Sequence, residues 1–509
     1  MKLTKLLAAA LLPAMLLVGC GSGGNGENPV SSEPNGETPA SGELVEIKNG
    51  MEMPGYYYEN NLTTGAADPF ILAHDGMYYL YCTGGSRFTV RSTKYPNVWP
   101  SESKVILKLS DLGWAEEKGW APEMYEYNGK FYMIFSAEGY NGLHAIGIAV
   151  CDTPDGEFKP LSSKPFFAPD YSVIDGSLFF DDDGRIYMYY SKDNSTNLVD
   201  GKKTSQVYGV EVAADFSGIL GEPVLISTPE QDWEKQSGSV LWNEGPVVFK
   251  ENGVYYLLYS ANCYAVKNYS VGYATSDTPL ARFVKPEKSR ILRGNDTTVT
   301  GPGHCNILRS PDGSEMYMVY HVHTVPPDVK NGRSLAIDRL VIREDGTLAV
   351  DGPSVTRRPL PSGANGYSHI HADALTVTGT GEKAEISSFS AVENLFDGIA
   401  KTSVEGIYSM DEGGSVEIKL NQPTELTSVM LYAPMTPEYV PGTVDVEING
   451  AYILRGLKFS SRLGSPLTAT LSNLPANTAV ETIKITVHLA EGSAYAALSE
   501  IVPITARQK

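Results

Sequence analysis

The sequence predicts an all-β protein, a five-bladed β-propeller followed by a β-sandwich. Three observations predict it. One phrase, a turn with glycine followed by a strand dense in Tyr, Phe and Met, occurs five times. Its glycines are Gly76, Gly129, Gly184, Gly253 and Gly313, at spacings of 53, 55, 69 and 60 residues. A hairpin repeat of this length is the signature of a propeller blade. Between the copies lie polar turns and further short apolar runs, among them 145–151, 207–212 and 270–275, which bring each repeat to about four strands. Beyond residue 370 the pattern changes to alternation, as at 415–420, 444–448 and 482–487, the mark of half-buried strands. No stretch there has a helical period. A sandwich throughout, with hairpins alike by chance, is the competing reading; the shared phase of the copies favours the propeller.

At 509 residues the chain exceeds one ordinary core, and its pattern divides it into four parts. Residues 1–19 read as a lipoprotein signal peptide, 20–48 as a flexible linker, 49–366 as the propeller and 367–509 as the sandwich. Lys2 and Lys5 precede an apolar run, 6–18, too short to span a bilayer as a helix. It ends in Leu17-Val18-Gly19-Cys20, which resembles a bacterial lipobox. That resemblance implies cleavage before Cys20, a lipid on Cys20, and an exported protein anchored to a membrane of the cell envelope. An ordinary secretory signal is the alternative. The Gly, Ser, Pro, Asn and Glu of 21–43 cannot bury a core and suit a tether. With 60 acidic against 40 basic residues, net −20, and no basic stripe, nucleic acid is excluded as a partner. Cys82, Cys151, Cys263 and Cys305 lack C-x-x-C spacing, which argues against zinc. They are expected as buried free thiols.

The chemistry sits at one station of the repeat. Asp68 lies eight residues before its hairpin glycine, and Asp175 and Glu244 lie nine before theirs. The second repeat offers Trp120-Ala121-Pro122-Glu123 there, and the fifth offers His304, nine before Gly313. This station is the start of the innermost strand, which on a propeller faces the axial pocket. Carboxylates gathered in a cleft are the equipment for glycosidic bond cleavage, one protonated to donate and one ionised to activate water. A third can orient the acid and raise its pKa. Singly, each has a plainer role: Asp68 before Pro69 and Asp175 before Gly176 as turn formers, Glu244 as a strand-edge charge. Asp181, Asp182 and Asp183 belong to a solvated hairpin loop. The common phase of the three others is what turn formation leaves unexplained. Trp120 has an indole face suited to a sugar ring, with core packing as its competitor; Tyr264 and Tyr269 are candidates for the rim.

In order along the chain, Ala67-Asp68-Pro69, Trp120-Ala121-Pro122-Glu123, Ile174-Asp175-Gly176, Glu244-Gly245-Pro246 and Gly301-Pro302-Gly303-His304 resemble the motifs of family 43 glycoside hydrolases. The resemblance covers all five repeats. It implies a five-bladed propeller that inverts anomeric configuration, with Asp68 as general base, Asp175 as orienting residue and pKa modulator, and Glu244 as general acid. Inversion implies a base–acid separation of about 6.5–9.5 Å with a water in between. Arg333 matches the family's sugar-binding arginine, against a surface charge as its alternative. His304 matches an axial position where family members hold calcium or another ion, although one imidazole is a poor signature for an oxygen-loving cation. No cofactor is required for the chemistry. The implied substrate is a plant cell-wall polysaccharide or oligosaccharide containing arabinose or xylose. An α-L-arabinofuranosidase is the leading reading, with β-xylosidase or endo-arabinanase behind it. The presence of Asp68 argues against the β-1,3-galactan branch, which lacks that aspartate, and the signatures of the retaining fructan hydrolases are missing. A cell-surface carbohydrate-binding protein with an inactive propeller is the alternative of another class. In the second unit, Asn394-Leu395-Phe396-Asp397-Gly398 ahead of 415–420 resembles the start of a discoidin-like domain. A bracing module and a sugar-binding module both remain open.

Overall fold

Three of the five hairpins turn on two residues with positive φ at both: Asp75-Gly76, Asn128-Gly129 and Asn252-Gly253. This is the type I′ turn, whose twist matches that of the flanking strands and which Asn, Asp and Gly adopt at least cost. The computed structural model describes residues 44–50, 55–380, 391–400 and 407–506, and in it these hairpins open successive antiparallel sheets. Sheet I holds Phe70–His74, Met77–Tyr81, Arg87–Thr93 and Lys104–Lys108. Sheet II holds Ala115–Tyr127, Lys130–Gly139, His144–Cys151 and Lys159–Pro160. Sheet III holds Val173–Phe180, Ile186–Lys192, Gln206–Val212 and Ile219–Ser227. Sheet IV holds Asn243–Glu251, Val254–Ala261, Ser270–Ser276 and Arg290–Arg293. Sheet V holds Gly303–Arg309, Met316–Val325, Asp328–Ile342 and Leu348–Val350. In each, sequence order is spatial order. The protein is all-β: its helices, among the described residues, are six short 3₁₀ turns.

The aromatic strands alternate like any strand, but both of their faces are buried. In sheet II, Phe131, Met133 and Phe135 enter a core shared with sheet I, while Ile134 enters one shared with sheet III. In sheet III, Met188 and Tyr190 face sheet II, while Tyr187 and Tyr189 face sheet IV. Similar cores join sheet IV to V and sheet V back to I. Five junctions thus close a ring, and the first strand of each sheet packs against the first strand of the next. That burial on both sides explains why the strands read as near-continuous apolar runs.

A clasp completes the ring. Thr63–Thr64 pairs with the third strand of sheet V at Leu335 and Ser334, and the N–H of Ala66 donates to the carbonyl of Arg333 at 2.9 Å. The clasp carries Asp68 to the side of Arg333.

The second unit has two main sheets. One orders Val45–Glu46, Tyr452–Leu457, Thr443–Ile448, Val480–His488, Ser415–Thr424 and Leu375–Thr380; the other orders Tyr367–His369, Glu500–Ala506, Leu426–Tyr432 and Leu467–Thr470. Val416, Ile418, Val446 and Ile485 of the first share one core with Val429, Leu431, Ala469 and Ile501 of the second. The linker expected over 20–48 is corrected at its end: Val45–Glu46 pairs in parallel with Tyr452 and Ile453. Its cause is apolar Ile47, which packs on that core. The signal peptide, Cys20 and residues 20–43 lie outside the described residues. No helix among the described residues is long and apolar enough to cross a membrane. The four cysteines are free thiols, as expected, but only Cys305 is fully buried; Cys82, Cys151 and Cys263 are half-buried.

Candidate active site

Every sheet of the ring has a left-handed residue in or just before its innermost strand: Asp68 (φ 50°), Ala121 (43°), Asp175 (55°), Gly245 (57°) and His304 (48°). In four sheets the pairing register slips beside it, between Trp120 and Glu123, Ile174 and Ser177, Glu244 and Val247, and Gly303 and Asn306. These are β-bulges, which re-aim a side chain without ending the strand. In sheets I, III and V the left-handed residue itself carries the polar group. In sheets II and IV the residue before it does, Trp120 and Glu244. The shared station read from the sequence is therefore a left-handed residue, at a bulge in four sheets, with the functional side chain one residue earlier in two.

All the sequence-predicted residues of the ring come together. Asp68, Trp120, Asp175, Glu244, His304 and Arg333 line one cavity of about 480 Å³. Asp68 receives Arg333 Nη1 on Oδ1 at 2.5 Å, with the Nδ1 atoms of His304 and His321 each 3.5 Å from the same oxygen. Thr83 Oγ1 donates to its Oδ2. Burial alone would raise the Asp68 pKa, but the Arg333 guanidinium, the two imidazoles and Thr83 outweigh it and hold the carboxyl well below the usual range. Asp175 Oδ2 accepts the Gly245 N–H at 3.0 Å, which ties it to the residue after Glu244. Burial pushes Asp175 up to about 6, against the pull of His304 and with help from the Asp68 charge. Glu244 is raised well above the usual carboxylate range, by burial first and by Asp175 second, although Tyr269 donates to its Oε1 at 3.0 Å. The arrangement is one carboxylate held ionised beside a cation, one carboxyl whose proton is favoured by burial, and a third, Asp175, that charges around pH 6.

Trp120 stacks on His144 with ring centroids 4.1 Å apart and presents its indole to the cavity. Arg333 lies over the Tyr264 ring at 4.7 Å, and Tyr264 is exposed, as a rim residue should be. Tyr269 is corrected: it is buried against Glu244 and His321 and not on the rim. Sequence reasoning missed Trp242, Thr83, His144 and Asp193, which also line the cavity, and His321 behind Asp68. Trp242 stands two residues before Glu244 and could have been found at the repeat station; His321 sits inside an aromatic strand, where it reads as core. As a metal ligand His304 has poor company. The oxygens nearest to it, those of Asp68, are engaged by Arg333 and Thr83, and among the described residues no three His, Cys, Asp or Glu side chains are placed to hold an ion. Calcium takes about six to eight oxygen ligands, so this surrounding does not fit a calcium ligated by protein groups alone.

A family profile described as glycosyl hydrolases family 43 matches residues 58–348, more than half of the chain. Among curated proteins, a β-D-galactofuranosidase of Aspergillus niger is 28% identical over 58% of this chain and 82% of its own length. An extracellular exo-α-(1→5)-L-arabinofuranosidase of Streptomyces chartreusis is 31% identical over 52% of this chain and 82% of its own. Among solved structures, a thermostable family-43 glycoside hydrolase is 42% identical with a TM-score of 0.57, over 60% of this chain and 99% of that one.

Proposed function

The chain belongs to glycosyl hydrolases family 43, whose members invert configuration, and we propose that it is an α-L-arabinofuranosidase acting on plant arabinan or arabinoxylan. The observation that carries this reading is the placing of three carboxyls in one cavity, Asp68 on the Arg333 guanidinium, Glu244 buried against Tyr269, and Asp175 on the N–H of the residue after Glu244. Asp68, ionised by Arg333, acts as general base and takes a proton from water. Glu244, kept protonated by burial and by Asp175, gives its proton to the leaving oxygen. Asp175 orients the acid through Gly245. Arg333 and Trp120 contact the sugar, the first through hydroxyls and the second through its ring face. Relatives named for arabinofuranosides support the choice of sugar; one named for β-xylosidase keeps xylosides as the second reading.

The five sheets serve as the blades of a five-bladed propeller, a reading supported by the five junction cores. The second unit serves as a discoidin-like sandwich, supported by two sheets on one core. Lipidation at Cys20 and anchoring at the envelope rest on the lipobox resemblance, and the mass of the mature N-terminal peptide tests them.

The test of function is hydrolysis by the wild type and Glu244→Gln of aryl α-L-arabinofuranoside, aryl β-D-xyloside and polymeric arabinan, with the anomer of the first product read by NMR. Inverted arabinose from the wild type supports the proposal. No release from any of the three favours a carbohydrate-binding protein, and equal release by both proteins removes Glu244 from the acid role.

A further inference from the structure

Where the second unit meets the ring lies a cavity of about 510 Å³, as large as the catalytic one. Among the described residues no side chain lines both. Asn49, Gly50, Glu59 and Arg357 come to it from the segments that flank the ring, and the rest of its lining from 458–470 of the second unit. Its walls are pinned. Asn49 Nδ2 donates to the Thr468 carbonyl at 3.1 Å, and Asn49 Oδ1 accepts the Thr470 N–H at 2.7 Å. The Gly464 carbonyl accepts from Thr356 Oγ1 at 2.9 Å and from Arg358 Nη1 at 3.1 Å. Arg462 reaches across to Glu59 Oε1 at 2.7 Å and to the Val355 carbonyl.

Two properties of this lining point to a ligand. The first is charge. Among the described residues Arg357, Lys458 and Arg462 stand there against one carboxylate, Glu59, in a chain whose net charge is −20. Arg462 takes Glu59 for itself, and Lys458 has no ion pair among the described residues. The second is a buried hydroxyl. Thr470 is 1% exposed, yet its Oγ1 has no hydrogen-bond partner, a state that burial makes costly and that native proteins rarely leave unfilled. Phe459 adds a ring face, and Ser460 and Ser465 add hydroxyls. A small inorganic anion would use the charge but leave Thr470 and most of the volume idle. A neutral sugar would use the hydroxyls but give the cations no counter-charge. A sugar acid uses both, its carboxylate on guanidinium and ammonium and its ring hydroxyls on the polar floor.

We propose that this cavity binds an acidic saccharide, a uronate-containing chain whose carboxylate meets Lys458 and Arg357 and whose hydroxyls reach Thr470 Oγ1. The second unit is then a binding unit for charged polysaccharide, with a site apart from the catalytic cavity. The inference does not depend on which bond the ring cleaves.

The test is calorimetric titration of the full chain with trigalacturonate at low ionic strength, where surface charge is least screened. Its methyl ester and sodium sulfate are the uncharged and the sugar-free arms. The acid is expected to bind, and the ester about tenfold more weakly or not at all. Lys458→Ala, at an exposed position, should weaken binding of the acid about tenfold, and Thr470→Val about three- to tenfold. Lys458→Ala should leave hydrolysis of an aryl arabinofuranoside unchanged. Thr470→Val keeps the shape of the side chain and removes an unpaired hydroxyl, so its urea midpoint should not fall; that separates lost binding from lost fold. Should Thr470→Val unfold, Lys458→Ala alone decides. No binding of the acid, equal affinity for acid and ester, or affinity within about twofold of wild type in the folded variants overturns the proposal. Binding of sulfate without binding of the acid makes this a site for small anions and overturns it as well.

Discussion

Replacing Asp175 by Asn should move the alkaline limb of the pH–rate profile toward acid. The Asp175 carboxylate accepts the Gly245 N–H at 3.0 Å and so is held against the residue that follows Glu244. Its negative charge is the second cause, after burial, of the raised Glu244 pKa. A like charge within about 6 Å, at an effective dielectric of about 20–40, is worth about 1.4–2.8 kcal/mol. That corresponds to about one to two pH units. The sign follows from which form the charge penalises. Ionised Asp175 opposes ionisation of Glu244 and keeps its proton on at higher pH; a neutral amide removes that opposition, and the acid is lost at lower pH. Because Asp175 itself charges around pH 6, the wild type has the benefit across the neutral range. The assay is kcat/KM from pH 4 to 10 on an aryl arabinofuranoside, for wild type and Asp175→Asn. An alkaline limb displaced downward by about one to two units is the expected outcome. A limb that stays in place or moves upward refutes the electrostatic link between these two residues.

Three further outcomes follow from the same geometry. Arg333→Ala removes the largest force holding Asp68 ionised; the Asp68 pKa rises, so the acid limb of kcat/KM should move to higher pH, and an unmoved or lowered limb would contradict the pairing. Glu244→Gln should cost about 10²–10⁴-fold on a natural linkage but far less on a dinitrophenyl glycoside, whose leaving group needs no proton; equal losses on both would exclude Glu244 as the acid. Phe135→Ala empties a fully buried position that packs against Phe88 and stacks on Trp114. It should cost about 3–5 kcal/mol in urea unfolding of the ring, and a loss below about 1 kcal/mol would mean that the junction between sheets I and II refills the space.

Much of the ring was legible because two local signals recur with it. The turn glycines carry positive φ that few residues tolerate, and the strands between cores are apolar on both faces, so periodicity and punctuation agree. Asp68, Asp175, Glu244 and His304 were legible for a related reason, since each stands eight or nine residues before its turn glycine. Residues that reach the cavity by other routes were not. Asp193 lies in the connection after the second strand of sheet III and His144 opens the strand after that connection in sheet II; the connections differ in length from sheet to sheet, so no phase marks them. Tyr269 reads as a rim residue from its place near the Glu244 hairpin, yet the fold turns it inward to donate to Glu244. The Val45–Glu46 strand was hidden behind a tether-like composition. It has a sheet partner four hundred residues later, and such pairing leaves no trace in local pattern.

The bulge also accounts for which acidic residue stands where. A non-glycine residue at positive φ is disfavoured, and Asp, Asn and His are the types that tolerate it best. Where the left-handed residue must itself carry the polar group, the chain has Asp68, Asp175 and His304. Glu has no such tolerance. In sheet IV the longer acid therefore stands one place earlier, and Gly245 takes the left-handed position, where a Cβ would come 3.1 Å from His304 Nδ1. Sheet II departs from this pattern. Ala121 occupies the strained position without a polar side chain, at a cost of about 1–2 kcal/mol. Its N–H donates to Thr83 Oγ1 at 3.0 Å, and the Thr83 hydroxyl in turn donates a hydrogen bond to Asp68 Oδ2. The strained backbone of sheet II thus orients the hydroxyl that, with Arg333, keeps Asp68 ionised. The ring uses a left-handed residue at the same station of every sheet, in four to aim a polar side chain and in sheet II also to support a neighbour's.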